Sequence, residues 1–164
     1  MKVINKFLTE GTLNPKPSAK GLVKVGNYYL ILRIREESNG AGHWDLPGGG
    51  IEEGENKEDA LKREIFEETN LTVSNIKSAG TGKISIPENG IEVDINYFEC
   101  ESDNNEVILK PAKWDKPDYI GTTMWSGSGS RPEHVEYKWI QYKTELENLP
   151  MLKEFKDTLM KKLK

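Results

Sequence analysis

Glu64, Glu67 and Glu68 are the residues whose types and spacing most openly offer chemistry. In a helix, residues three and four apart share a side, so the run KEDALKREIFEETNL brings all three carboxylates onto one stripe. Like charges at that spacing weaken a helix by about 0.2–0.5 kcal/mol per pair, and a cation is expected to offset the repulsion. Arg63 stands four residues before Glu67 and is placed to hold one carboxylate. A divalent ion is the other source of positive charge, and clustered carboxylate oxygens suit Mg²⁺ or Mn²⁺. Just upstream, Gly48, Gly49 and Gly50 form a run that bends tightly and can approach the same place without Cβ clashes. The same pattern also fits a plain amphipathic helix, with its acidic face solvated and partly paired with lysines. Spacing alone leaves both readings open.

The elements that must position this stripe are legible around it. Asn56 to Glu68 reads as a helix, with Asn56 and Asp59 resembling a capping box and Ala60, Leu61, Ile65 and Phe66 on its apolar side. Asn70 ends it, because Asn tolerates the left-handed conformation that follows helices. Lys20 to Val25 and Tyr28 to Arg35 read as strands about a Gly26-Asn27 turn, the second having the near-continuous apolar run of a strand buried on both sides. Glu36 to Trp44 reads as a loop, and Asp45 to Glu55 as an irregular glycine-rich connection. Leu71 to Ile76 and Thr81 to Ile86 are expected as two strands, followed by a Pro87-Glu88-Asn89-Gly90 turn. Ile91, Val93, Ile95 and Tyr97 alternate as in a half-exposed strand. Asp103 to Arg131 reads as long loops around at most one short strand, of the kind that forms binding lids. Val135 to Tyr142 suggests a further strand. A last helix places Leu152, Phe155, Leu159 and Leu163 on one stripe. Strands, a helix, more strands and a closing helix predict an α/β fold, a mixed sheet with helices on its faces.

The bulk properties bound the answer. A chain of 164 residues is expected to form a single domain, residues 1–164, with room for a true core. Charged residues at 30% and hydrophobic ones at 35% suit a globular protein rather than a disordered one. No apolar run approaches the length of a membrane span, and the N-terminus lacks the pattern of a secretory signal. Cys100 is the one cysteine, so no intramolecular disulfide forms and a reducing, cytoplasmic setting is expected. With two histidines, His43 and His134, the chain offers no zinc set. A formal net charge of −4 speaks against wrapping a long nucleic acid. It does not oppose a small phosphorylated ligand carried on metal ions.

The stretch from Gly49 to Leu71 resembles the signature of the Nudix hydrolases, G-x5-E-x7-R-E-U-x-E-E-x-G-U, where U is a bulky aliphatic residue. Here it reads Gly49, Glu55, Arg63, Glu64, Ile65, Glu67, Glu68 and Leu71, with Asn70 in place of the last glycine. Asn is the next best residue for that backbone geometry. The resemblance implies an α/β/α sandwich with a mixed central sheet. It also implies metal-dependent hydrolysis of a nucleoside diphosphate linked to another group, by attack of water at phosphorus. Glu64, Glu67 and Glu68 are then expected to bind Mg²⁺ or Mn²⁺, with the Gly48 carbonyl as a further ligand. Arg63 is expected to orient a carboxylate, and Gly49 and Glu55 to support the loop. Glu136, shortly before Trp139, is preferred over Glu133 as general base, a helix glutamate being the other candidate.

Substrate identity is less constrained. Bases are usually bound by stacking and a few aimed hydrogen bonds; Trp44 and Trp125 lie in loop-like contexts and are the aromatic candidates, with His43 in the loop leading to the signature. A nucleoside triphosphate, ordinary or modified, cleaved to monophosphate and pyrophosphate is the expected substrate, with ADP-ribose or a nucleotide sugar as the alternative. A catalytically silent nucleotide sensor on the same fold is a rival of a different class. Isomerisation of isoprenoid diphosphates is a second rival, although Cys100 carries no matching motif. The expected partner is a small nucleoside diphosphate derivative, and the protein a monomer or homodimer.

Overall fold

The structure, a computed structural model, describes residues 15–34, 42–85, 91–109 and 134–164. Among these, seven strands form one mixed sheet: β1 (Ser18–Val25), β2 (Tyr28–Ile34), β3 (Trp44–Asp45), β4 (Gly48–Gly50), β5 (Val73–Ser85), β6 (Glu92–Ser102) and β7 (His134–Ile140). Three helices accompany it, α1 (Lys57–Thr69), α2 (Lys143–Leu146) and α3 (Lys153–Met160). The strand order is β3-β2-β1-β6-β5, with β4 added to β1 and β7 to β2. β1 and β6 run parallel, and the other pairs are antiparallel.

Alternation along the central strands divides the core between two faces. Ala19, Val23, Leu30, Leu32, Phe98 and Cys100 point one way, onto Ala60, Leu61 and Ile65 of α1. Leu22, Tyr29, Ile31, Val93, Ile95 and Tyr97 point the other way, onto Phe155 and Leu159 of α3 and Leu163 beyond it. This is the expected α/β/α sandwich. Complete burial of side chains such as Leu61 and Ile65 of α1 and Phe155 of α3 contributes about 1.5–3 kcal/mol each, which fixes both helices firmly against the sheet. No helix among the described residues is long and apolar enough to cross a membrane.

Several expectations change. The glycine-rich connection after Trp44 is not wholly irregular: it contributes β3 and β4, because Trp44 pairs with Arg33 and Gly48 with Lys20. The two strands expected between Leu71 and Ile86 are one bulged strand, β5, whose register shifts near Asn75 and Gly80, both at positive φ. β6 is covered on both faces through Asn96, Tyr97 and Phe98 rather than half exposed. Phe66 is about half exposed and lies outside the core that Leu61 and Ile65 join. β7 ends at Ile140, and Tyr142 instead opens α2, where Glu145 Oε2 accepts from the backbone N–H of Gln141 and Tyr142, both at 2.9 Å. The Pro87–Gly90 turn and the stretch from 110 to 133, including Trp125 and Glu133, lie outside the described residues.

At the end of α1, Asn70 adopts φ 63° and donates its N–H to the Phe66 carbonyl at 2.9 Å. The residue that departs from the signature thus makes the left-handed cap a glycine would make. Asn70→Gly is expected to shift stability by less than about 1 kcal/mol and to leave turnover unchanged in steady-state assays. A large gain in turnover would show that the departure matters.

Candidate active site

Asn56 begins α1, its Oδ1 accepting from the N–H of Glu58 at 2.9 Å and of Asp59 at 3.4 Å. That cap, with Leu61 and Ile65 locked into the core, sets the rotation of the helix and so the direction of the acidic stripe. Glu67 and Glu68 fall in its last turn, where there is no basic residue. The helix dipole already concentrates negative charge there. Two more carboxylates at that end call for positive charge from elsewhere.

Arg63 supplies part of it. Its Nε and Nη2 donate to the two carboxylate oxygens of Glu55 at 2.8 and 2.9 Å, a bidentate fork. Nη1 donates to Glu64 Oε1 at 2.6 Å and lies 3.5 Å from Glu67 Oε2, and Nη2 also reaches the Gly50 carbonyl at 3.0 Å. One guanidinium therefore orients three carboxylates and the glycine loop. Glu55 first, and then Glu64, push its pKa further up, against the opposing effect of partial burial. Glu55 Oε2 also accepts from the Glu52 N–H at 2.9 Å, which ties the loop before α1 into the same network. Arg63→Lys keeps the charge but not the planar fork. It is expected to lower turnover about 10- to 100-fold, as loss of an outer-sphere support typically does, read as kcat on the folded variant.

The glycine loop closes the other side. Gly49 packs so tightly on α1 that a Cβ at this position would lie 2.6 Å from Glu64 Oε2 and 2.7 Å from its Cδ. The Gly48 N–H donates to Glu68 Oε2 at 3.0 Å, and Glu68 is only 6% exposed. Loop and helix thus form one surface, with Glu64 and Glu68 against the Gly48–Gly49 backbone and Glu67 tied to it through Arg63. Sequence reasoning missed what holds the loop from below: Ser18 Oγ donates to the Gly49 carbonyl at 2.9 Å, and the buried Lys20 ammonium reaches the Leu46 and Gly48 carbonyls. The strand alternation of β1 placed Lys20 inside, a signal overlooked because lysine is so seldom buried.

The other candidates are dispersed. Glu136 lies on β7, opposite Arg33 of β2, whose Nε is 2.9 Å from its Oε2. Trp44 is not loop-borne. It belongs to β3, is 5% exposed within the core on the α3 face, and has the Lys138 ammonium 5.1 Å from its ring centroid. That burial corrects the loop context from which a stacking role was expected. His43 is exposed beside it. His134 is buried, its Nε2 3.7 Å from Asp45 Oδ2. Cys100 is a buried core residue whose thiol is pushed up to about 12, chiefly by burial. A thiol so protonated is a poor nucleophile, which counts against the cysteine-dependent isomerase chemistry.

Among the described residues, no group of three or more His, Cys, Asp or Glu side chains is arranged to hold a metal ion as it stands. Arg63 draws Glu64 and Glu67 to itself, and Gly48 engages Glu68. The chemistry of the donor set nonetheless fits a hard divalent cation: three carboxylates, two of them at the negative end of a helix, against a loop kept free of side chains.

Residues 22–163 match the NUDIX domain family. The oxidized purine nucleoside triphosphate hydrolase of Danio rerio is 30% identical over 101 residues, 59% of this chain and 65% of that protein. The RNA pyrophosphohydrolase of Vibrio atlanticus is 29% identical over 126 residues, 74% of this chain and 69% of that one. The chain therefore spans just under two thirds of the Danio rerio protein's length. Among solved structures, a NUDIX hydrolase from Nitrosomonas europaea superposes with a TM-score of 0.66 at 15% identity, over 89% of this chain and 86% of its own. At that identity the likeness is one of fold.

Proposed function

This chain belongs to the Nudix hydrolase superfamily, and from that premise we propose that it hydrolyses a nucleoside triphosphate, ordinary or modified, to the monophosphate and pyrophosphate. The observation that carries the reading is the joining of α1 to the glycine loop, with Glu64 against Gly49 and Glu68 on the Gly48 N–H. Such a surface has the oxygen donors that a metal-bound polyphosphate needs, beside glycines that bring no side chain of their own.

Glu64, Glu67 and Glu68, with the Gly48 carbonyl, would hold Mg²⁺ or Mn²⁺. When bound, such an ion neutralises charge gathering on phosphoryl oxygens and lowers the pKa of a bound water. The chain's own residues do the rest. Arg63 keeps Glu64 and Glu67 in register with the loop, and Glu55 keeps Arg63 in place. Glu136, paired with Arg33 across β2 and β7, is the proposed proton acceptor, with a helix glutamate as its competitor. His43, exposed at the lip of β3, is a proposed substrate contact, as is Trp125. A reducing, cytoplasmic setting agrees with the single, buried, free Cys100.

The Vibrio relative favours a second reading, in which the triphosphate sits on the 5′ end of an RNA. A substrate panel with Mg²⁺ separates these: ordinary and oxidised nucleoside triphosphates, a 5′-triphosphorylated oligoribonucleotide, ADP-ribose, NADH, dinucleoside polyphosphates and nucleotide sugars, with all products resolved by chromatography. Preferred cleavage of a free triphosphate with pyrophosphate release is expected. Preference for the oligonucleotide moves the assignment to RNA ends, and preference for ADP-ribose or a nucleotide sugar moves it to that class. Binding of a nucleotide without any cleavage would replace the enzyme with a sensor.

A further inference from the structure

Lys20 is completely buried, yet its ammonium faces more acceptors than it has protons. Asp45 Oδ1 and Oδ2 lie at 3.0 and 2.9 Å, the Leu46 carbonyl at 3.0 Å and the Gly48 carbonyl at 3.3 Å. The Phe155 ring of α3 closes the remaining side, its centroid 5.3 Å from Nζ. Desolvating an ion pair this fully takes back much of what the attraction gains, and well-packed apolar residues serve stability as well or better. What the pair provides that an apolar pair cannot is direction.

The direction concerns the loop of the proposed site. Every carbonyl from Leu46 to Gly50 has a donor from outside the loop: Lys20 for Leu46 and Gly48, the Gly21 N–H for Pro47 at 2.7 Å, Ser18 Oγ for Gly49, and Arg63 for Gly50. Four of these five hydrogen bonds come from β1. Gly48 is held through both of its flanking peptide groups, its carbonyl by Lys20 and its N–H by Glu68. Among the four acceptors of Lys20, the Gly48 oxygen is the farthest and hence the most easily shared.

We propose that the buried Lys20–Asp45 pair is a positioning device for the metal-binding face, holding the Leu46 and Gly48 carbonyls so that Gly48 presents Glu68 and its own oxygen in a fixed place. The inference rests on the metal-dependent reading of the site given above. Lys20 touches neither substrate nor reacting atoms; it acts through Gly48. His134 on β7 is also buried, its Nε2 3.7 Å from Asp45 Oδ2, too far for a hydrogen bond, so Lys20 is the group that orients the carboxylate.

The test is Mn²⁺ binding to the substrate-free protein, followed by electron paramagnetic resonance, for the wild type, K20M/D45N, K20Q/D45N and E67Q/E68Q. Both double variants at positions 20 and 45 remove the pair of charges together, so neither leaves an uncompensated ion in the core, and K20Q keeps an amide donor. With a native circular dichroism spectrum and a cooperative melt, K20M/D45N is expected to bind Mn²⁺ about 10- to 100-fold more weakly, and K20Q/D45N to recover part of the loss. Equal affinity in wild type and K20M/D45N would overturn the proposal. Failure of both variants to fold would overturn it too, making the pair an element of core stability. If the wild type binds no Mn²⁺, or E67Q/E68Q binds it as well as the wild type does, the metal assignment itself falls and takes this inference with it.

Discussion

Glutamine in place of Glu67 or Glu68 is expected to lower turnover by roughly two orders of magnitude or more, the scale on which removal of a charge-stabilising group acts, while the thermal midpoint holds or rises. The two halves of this prediction have one cause. Both residues lie in the last turn of α1, which has no basic residue, and the helix dipole disfavours carboxylates there by about 0.3–1 kcal/mol each. Neutralising either one relieves that repulsion without changing side-chain size. The amide that replaces the Glu68 carboxylate would still offer an oxygen to the Gly48 N–H, so the loop keeps its anchor. A helix whose acidic face is merely solvated predicts the same gain in stability but no loss of turnover. Steady-state kinetics beside a thermal melt therefore separates the two readings of the stripe, and unchanged turnover would remove these glutamates from the site.

Gly48→Ala is expected to be the most damaging single change in the loop. Gly48 has φ +126°, and a Cβ there would stand 2.1 Å from the Ala19 carbonyl oxygen and 3.0 Å from the Lys20 Cα. Both obstacles are backbone of a central strand, so neither can swing aside. Backbone strain and overpacking each cost about 1–3 kcal/mol, and together a loss of about 3 kcal/mol or more is expected. For a domain of this size that lowers the melting midpoint by roughly 6–12 °C. Gly54→Ala is the control: Gly54 also has positive φ, +75°, but an added Cβ there meets nothing within 4 Å. Its cost is limited to backbone conformation, about 1–2 kcal/mol. Equal melting points for the two variants would mean that the close approach of loop to β1 is not what makes Gly48 necessary.

The parts of this molecule that could be read ahead of the structure are those with local causes. Asn56, the Leu61–Ile65 stripe and Asn70 define α1 within fifteen residues of one another, and each acts on its own backbone. The convergence of Arg63 with Glu64 and Glu67 follows from the same helical spacing, although the guanidinium's grip on Glu55 and Gly50 needed the loop to fold back. What escaped reading is set by distant partners. Trp44 stands in a glycine-rich stretch, and only its pairing with Arg33 and its N–H bond to the Pro150 carbonyl make it a strand. Asn75 and Gly80 look like strand ends but are bulges, tolerated because β6 continues past them. Lys20 and Asp45 are 25 residues apart, and each alone reads as surface charge; nothing local announces that they meet in the core. α2, at four residues, is too short for any periodicity to show.

Hydrolysis in ¹⁸O-labelled water, with Mg²⁺ and the preferred nucleotide from the panel, decides whether Glu67 and Glu68 serve attack of water at phosphorus. Metal-dependent attack of water at phosphorus leaves one labelled oxygen in one of the two phosphoryl products from the wild type, and no cleavage is expected from the E67Q/E68Q double variant under the same conditions. Label incorporation that proceeds equally in that variant, or a wild type that binds the nucleotide and leaves it intact, would contradict it.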